Sequence, residues 1–111
     1  MANVFTNSFN SSIGTSDVVV YEPGGSIDYA TVIGCTVANI VTTTVEFDLF
    51  VRDVDDTDVY ILKAAELNSG TGEVPIGGEQ KLVLKPNQQL IAKSNTAASI
   101  DVAVSILEIT E

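Results

Sequence analysis

Histidine and tryptophan are absent from this 111-residue chain, and cysteine and methionine occur once each. Without an imidazole there is no His-based catalytic triad and no His-containing metal site. A single thiol cannot close an intrachain disulfide. Cations are scarce as well: five Lys and Arg stand against fifteen Asp and Glu, a formal charge of -10. Nucleic acid is held by a basic face that neutralises phosphates, and an anionic bilayer by polybasic segments. This composition argues against both partners. Long apolar runs are missing too, the limit being three residues as in Val18-Val19-Val20, so no segment reads as a membrane-spanning helix. The start, Met1 to Ser8, has no basic region followed by an apolar stretch of signal-peptide length. The expectation is a protein made and kept in a cytosol-like space unless something larger carries it out.

What is present is strand chemistry. Val, Ile and Thr make up 36 of the 111 residues, and β-branched side chains lose rotamer freedom in helices while fitting a pleated surface. The periodicity agrees. Across Val45–Arg52, Val45, Phe47, Leu49 and Val51 point one way while Glu46, Asp48 and Arg52 point the other, the pattern of a half-buried antiparallel strand. Phe50 is the exception on the wet side and is expected to stand exposed, ready to touch a partner chain.

Similar alternation predicts strands over Ile27–Ile40, Thr57–Ala65, Lys81–Lys85, Gln89–Ser94 and Ser99–Ile109, with weaker candidates at Val4–Thr6 and Asp17–Tyr21. Within them, Ile33, Cys35 and Val37 are expected to share a face, Gly34 to mark either a bulge or a close backbone approach, and Tyr60 and Leu62 to lie on one side. Glu22–Ser26, Asn68–Gly72 and Pro75–Gly78 read as loops, and Pro86-Asn87 and Asn95–Ala98 as hairpin connections. About eight short strands at this spacing predict an all-β fold, a single antiparallel β-sandwich or jelly roll. Residues 1–14 differ from the sandwich domain at 15–111: they are rich in Asn and Ser and carry Phe5, Phe9 and Ile13. They read either as a fraying terminus or first edge strand, or as an arm whose apolar side chains anchor a neighbouring subunit.

Candidate chemistry is sparse. Asp53, Asp55, Asp56 and Asp58 form the densest charge cluster, and four carboxylates in six residues could offer oxygen ligands to Ca²⁺. The EF-hand pattern is absent, and a solvated hairpin tip accounts for the same residues. Glu46 with Asp48, and Asp101 with Glu108, are carboxylates on strands, but no spacing singles out a pair for glycoside hydrolysis. Gly77-Gly78-Glu79 precedes no predicted helix and is not a phosphate cradle. Lys63, Lys81, Lys85 and Lys93 read as surface gatekeepers, and Cys35 as a buried small hydrophobe. No catalytic residue, cofactor site or metal site is assigned beyond the weak calcium candidates.

One ordered series of segments carries a resemblance. Val37-Ala38-Asn39 ends a Val/Ile-rich strand and is followed by Thr42-Thr43-Thr44-Val45-Glu46-Phe47, then Tyr60-Ile61-Leu62-Lys63 and Pro75-Ile76-Gly77-Gly78. Gln80–Leu84, Leu90–Ser94 and the closing Ile100–Ile109 complete it. Over residues 27–110 the chain resembles the small β-sandwich virion structural proteins of tailed bacteriophages, the head decoration, neck and tail components. The chain departs from their usual Gly-Asp turn at Pro86-Asn87-Gln88. The resemblance implies a non-enzymatic homo-oligomer, a trimer favoured, made in the host cytoplasm and carried on the virion against proteins such as the major capsid protein. A capsid decoration subunit is the first reading, and a neck, collar, tail or baseplate subunit the second. A calcium- or carbohydrate-binding β-sandwich module is the alternative from another class. Subunit contacts are expected at Phe5, Phe9, Ile13 and Phe50.

Overall fold

The computed structural model describes residues 2–77 and 81–110. Nine strands follow in order: β1 (Ala2–Ile13), β2 (Val18–Tyr21), β3 (Tyr29–Asn39), β4 (Val45–Arg52), β5 (Asp58–Leu67), β6 (Gly72–Ile76), β7 (Leu82–Leu84), β8 (Gln89–Ser94) and β9 (Ile100–Thr110). They form two antiparallel sheets. Sheet A runs β1-β9-β3-β6, with β7 also on β3, and sheet B runs β2-β8-β4-β5. The chain is an all-β sandwich, as its composition predicts. Gly78, Glu79 and Gln80, part of the predicted Gly-Gly punctuation and of the Gln80–Leu84 segment, lie outside the described residues.

The core fills the space between the sheets with the inward positions of the long strands. Ala30, Val32, Cys35 and Val37 of β3 meet Ile100, Val102, Val104 and Ile106 of β9 on one side. Val45, Phe47 and Leu49 of β4 and Leu90 and Ala92 of β8 supply the other. In the regular parts of β3, β4 and β9 alternation serves one purpose: every second side chain enters a shared apolar layer.

Where a strand breaks alternation, the expected faces fail. The β3–β9 register shifts between Val32 and Gly34. This bulge moves Ile33 off the face of Cys35 and Val37, with which it was expected to lie, and decides for the bulge between the two readings of Gly34. It also divides the edge of β3, so that β7 pairs with Ala30–Val32 and β6 pairs further along, from Cys35 to Ala38. A second shift, in the β4–β5 register, sets Leu62 opposite Leu49 but Tyr60 opposite Phe50. Tyr60 and Leu62 consequently face opposite ways, against expectation, and both Ile61 and Leu62 pack on the core. Strand β6 includes Gly72, Pro75 and Ile76, which are expected by composition to lie in loops; Pro75 lacks an amide donor, but on an edge that missing donor is tolerated.

The corner between the sheets is held by Asn39, whose side chain is 5% exposed. Its Nδ2 donates to the carbonyls of Thr43 and Leu67, both at 2.9 Å, and its Oδ1 accepts the Val41 amide at 2.9 Å. One amide thus ties the end of β3 to the start of β4 and the end of β5. At the β8–β9 connection the buried hydroxyls of Ser94 and Ser99 bond each other, and Ser99 also donates to the Thr96 carbonyl at 2.8 Å.

Candidate assembly surface

Strand β1 pairs along its length with β9, from Ala2 opposite Thr110 to Asn10 opposite Val102, and its other edge is an edge of sheet A. Register places Phe5 beside Leu107 and Phe9 beside Ala103, on the face turned away from the core. Phe5 is 74% exposed and Phe9 72%. Beside Phe9 lies a shallow depression of about 350 Å³ floored by Thr36, Ala38 and Ala103. Asp101 at its rim accepts the Ser12 amide at 2.8 Å, where Ser12 sits at φ 55° in the bulge that ends the regular part of β1. Ile13, expected to anchor a neighbour, belongs instead to this subunit's own core at 3% exposure. The bulge turns it inward to face Ile100.

The Asp53–Asp58 segment is a hairpin tip in which most carboxylates are engaged locally. Asp53 Oδ1 accepts the Val54 amide and the Gln88 side-chain amide, and Asp55 accepts the Thr57 amide. Asp58 chelates the Arg52 guanidinium at 2.8 and 3.1 Å, and Asp17 reaches the same group at 3.2 Å. Among the described residues no three acidic or thiol side chains gather as a metal-holding group.

These bonds make a pH prediction. The Arg52 guanidinium holds the Asp58 carboxyl below its ordinary 3.8, and the Gln88 amide followed by the Val54 N–H lowers Asp53 likewise. Folded values depressed below unfolded ones contribute stability that is complete above the unfolded value and lost as pH falls through the folded one. Urea midpoints should therefore hold from neutrality to about pH 4 and decline below it, with a shallower decline in Arg52→Ala.

Phe50 does lie on the outer face of sheet B, but it is 2% exposed, which corrects the expectation of an exposed contact. Tyr60 stacks on it at 4.9 Å between ring centroids and the Arg52 guanidinium sits 5.6 Å from its centre. Register completes a row across all four strands, Val19–Ile91–Phe50–Tyr60. This row is a small apolar layer on the outside of the sheet, closed at one end by Lys63 over Tyr60.

The strand carboxylates are dispersed. Asp48 accepts the Ala64 amide, and Glu108 accepts the Tyr21 hydroxyl at 2.7 Å. Burial, then the hydrogen bond and charge of Glu108, push the Tyr21 phenol up. Glu46 and Asp48 share an open depression with Lys63 and Lys93. Among the described residues the buried polar side chains are Asn39, Ser94 and Ser99, so no carboxylate occupies the apolar pocket that a raised-pKa general acid needs.

No protein-family model matches the chain, and no curated protein matches it. Among solved structures it is similar to a chain from a study of Bacillus endospore appendages, described as a novel family of disulfide-linked pili. The TM-score is 0.55 at 11% identity, over 99% of this chain and 88% of that one. It also aligns with a chain of infectious bursal disease virus, Gt strain, at 13% identity and TM-score 0.32, over 99% of this chain and 40% of that one. The first likeness shows a shared fold; the second is too distant to argue from.

Cys35 is 1% exposed and lies in the core of sheet A. Burial pushes its thiol up to about 12 from an ordinary 9.0. A folded value above the unfolded one means stability is complete below pH 9 and is lost as pH rises toward 12. Native protein at pH 8 should be inert to thiol reagents and react only as urea unfolds it. Alkaline loss of stability should be shallower in Cys35→Ala.

Proposed function

We propose that this protein is a non-enzymatic structural subunit that works by self-association on the surface of a larger particle. The observation that carries this reading is β1: a long edge strand in an acidic protein, bare of charged side chains and displaying two exposed phenylalanines. Monomeric soluble proteins usually blunt such edges. The dispersal of the carboxylates supports a role without catalysis, and the pilus-subunit likeness is compatible with an assembly fold. That neighbour's disulfide linkage has no evident counterpart here, because the single thiol is buried.

The resemblance of residues 27–110 makes capsid decoration on a tailed bacteriophage the specific reading, with neck, collar or tail as other positions on the same particle. The partners would be copies of this chain, a trimer favoured, and a capsid protein beneath. Native mass by light scattering, once in calcium and once in EDTA, tests the reading. A discrete oligomer indifferent to metal is expected. A monomer whose melting temperature rises with calcium would overturn it in favour of a binding module at Asp53–Asp58.

A further inference from the structure

Among the described residues the two sheets have four edges, and three of them are guarded. Strand β2 is four residues long. Strand β5 carries Asp58, Lys63 and Glu66, and its register with β4 is broken by bulges. The far side of sheet A is divided between the five-residue β6, containing Glu73 and Pro75, and the three-residue β7. Short length, charge, proline and bulges are the devices that stop a sheet edge from recruiting another strand. Strand β1 has none of them between Ala2 and Asn10: it is regularly paired with β9, free of proline and without a charged side chain.

We propose that β1 is a homotypic interface, pairing antiparallel with β1 of a second copy about a two-fold axis at Asn7. Charge argues for a copy of this chain as the occupant. A subunit of net charge -10 repels its own kind over most orientations, and the first charged side chain in the sequence is Asp17. Two copies meeting along β1 bring no ionised side chains into apposition within the strand. Asp101, a carboxylate beside Phe9 on the outward face, is already bound to the Ser12 amide.

Sequence symmetry fixes the register. An antiparallel pairing centred on Asn7 sets Phe5 opposite Phe9 of the second copy, and Phe9 opposite its Phe5. No other centre pairs both rings with rings. All four phenylalanines then lie on one outward face, because positions 5, 7 and 9 share parity. Cross-strand aromatic pairs are a main source of sheet stabilisation. Val4 meets Asn10 and Thr6 meets Ser8 on the opposite face. The contact closes on itself, as an isologous interface must, and joins the two four-strand paths into one continuous sheet. A threefold ring needs a different, head-to-tail contact, so this interface would be additional to any such ring.

The inference rests on the self-association reading, and cysteine cross-linking separates the two. Residues facing each other across antiparallel strands have Cα atoms about 4.5–5.5 Å apart, inside the range a disulfide spans. Asn7→Cys places the two introduced thiols on the axis, while native Cys35 is buried. Under a mild oxidant the full chain should convert mostly to a covalent dimer on a non-reducing gel. Asn3→Cys, whose two copies lie eight residues apart along the pair, should cross-link at least ten-fold less. Phe5→Lys with Phe9→Lys should lose the contact in light scattering, and Phe5→Lys with Phe9→Glu should keep it. Equal cross-linking at positions 3 and 7, or none at 7 in a protein that still oligomerises, overturns the β1 interface and leaves self-association standing. A wild-type monomer overturns both.

Discussion

Asn39→Asp is expected to cost about 3–5 kcal/mol of folding stability at neutral pH, with Asn39→Ala close behind at about 2–4 kcal/mol. The native amide donates to two carbonyls and accepts one amide from a nearly solvent-free position. Alanine removes all three bonds and leaves the Thr43 and Leu67 carbonyls and the Val41 N–H to find other partners. A buried polar group without one costs about 1–3 kcal/mol, which sets the range. Aspartate keeps the shape but reverses the chemistry: an ionised carboxylate would face two carbonyl oxygens that previously received hydrogen bonds. Its folded pKa would rise, so the penalty relative to wild type should shrink as pH falls and the carboxyl gains a proton. Urea unfolding at pH 7 and pH 5 measures both effects. A neutral-pH loss under about 1 kcal/mol in Asn39→Asp would mean that the corner opens to water and the three bonds are dispensable.

Asn39 also marks the boundary of what residues declare by themselves. Its place at the end of a strand is visible in Val37-Ala38-Asn39, but its function as a three-way tie is not. The partners Thr43 and Leu67 are brought to it only when the chain crosses from sheet A to sheet B. Strands β4 and β8 match their predicted bounds because alternation and turn residues are local properties. Strand β6 escaped because an edge tolerates Pro75, and edge position is a property of the whole sheet. The same limit governs β1. Val4–Thr6 alone shows alternation worth reading, whereas the observed strand runs through Asn7–Ser12, where polar residues occupy both faces. Its formation depends on β9 as a template. Phe5 and Phe9 stand out in the sequence as apolar anchors, but only the pairing with β9 shows that they share the outer face. The bulge at Gly34 is legible because a glycine marks it, whereas β5 has no glycine to announce its own, and one extra residue inverts every face beyond it, as the reversal of Tyr60 against Leu62 demonstrates.

Phe47 and Phe50 turn this into a measurable contrast. Both rings are buried, at 1% and 2% exposure, and burial alone would assign equal costs to their truncation. They stand on opposite faces of β4. Phe47 lies in the layer between the sheets, bounded by side chains from rigid strands on both sides. Its removal leaves a cavity that the surrounding backbone can close only in part, so Phe47→Ala should cost about 3–5 kcal/mol. Phe50 is enclosed from outside by the Tyr60 ring and the Arg52 side chain, which border solvent. Those groups can settle into the vacated space or admit water, and Phe50→Ala should cost about 1–2.5 kcal/mol, mostly lost transfer energy and the ring contact. The truncation at Phe50 should also loosen the Arg52–Asp58 pair, so its acid sensitivity below pH 4 should soften, while Phe47→Ala leaves that profile unchanged in shape. Urea unfolding of the two variants across pH supplies both readouts. Equal costs would mean that the outer row Val19–Ile91–Phe50–Tyr60 is packed as tightly as the inner core, and that sheet B carries a second structural layer in place of an adaptable covering.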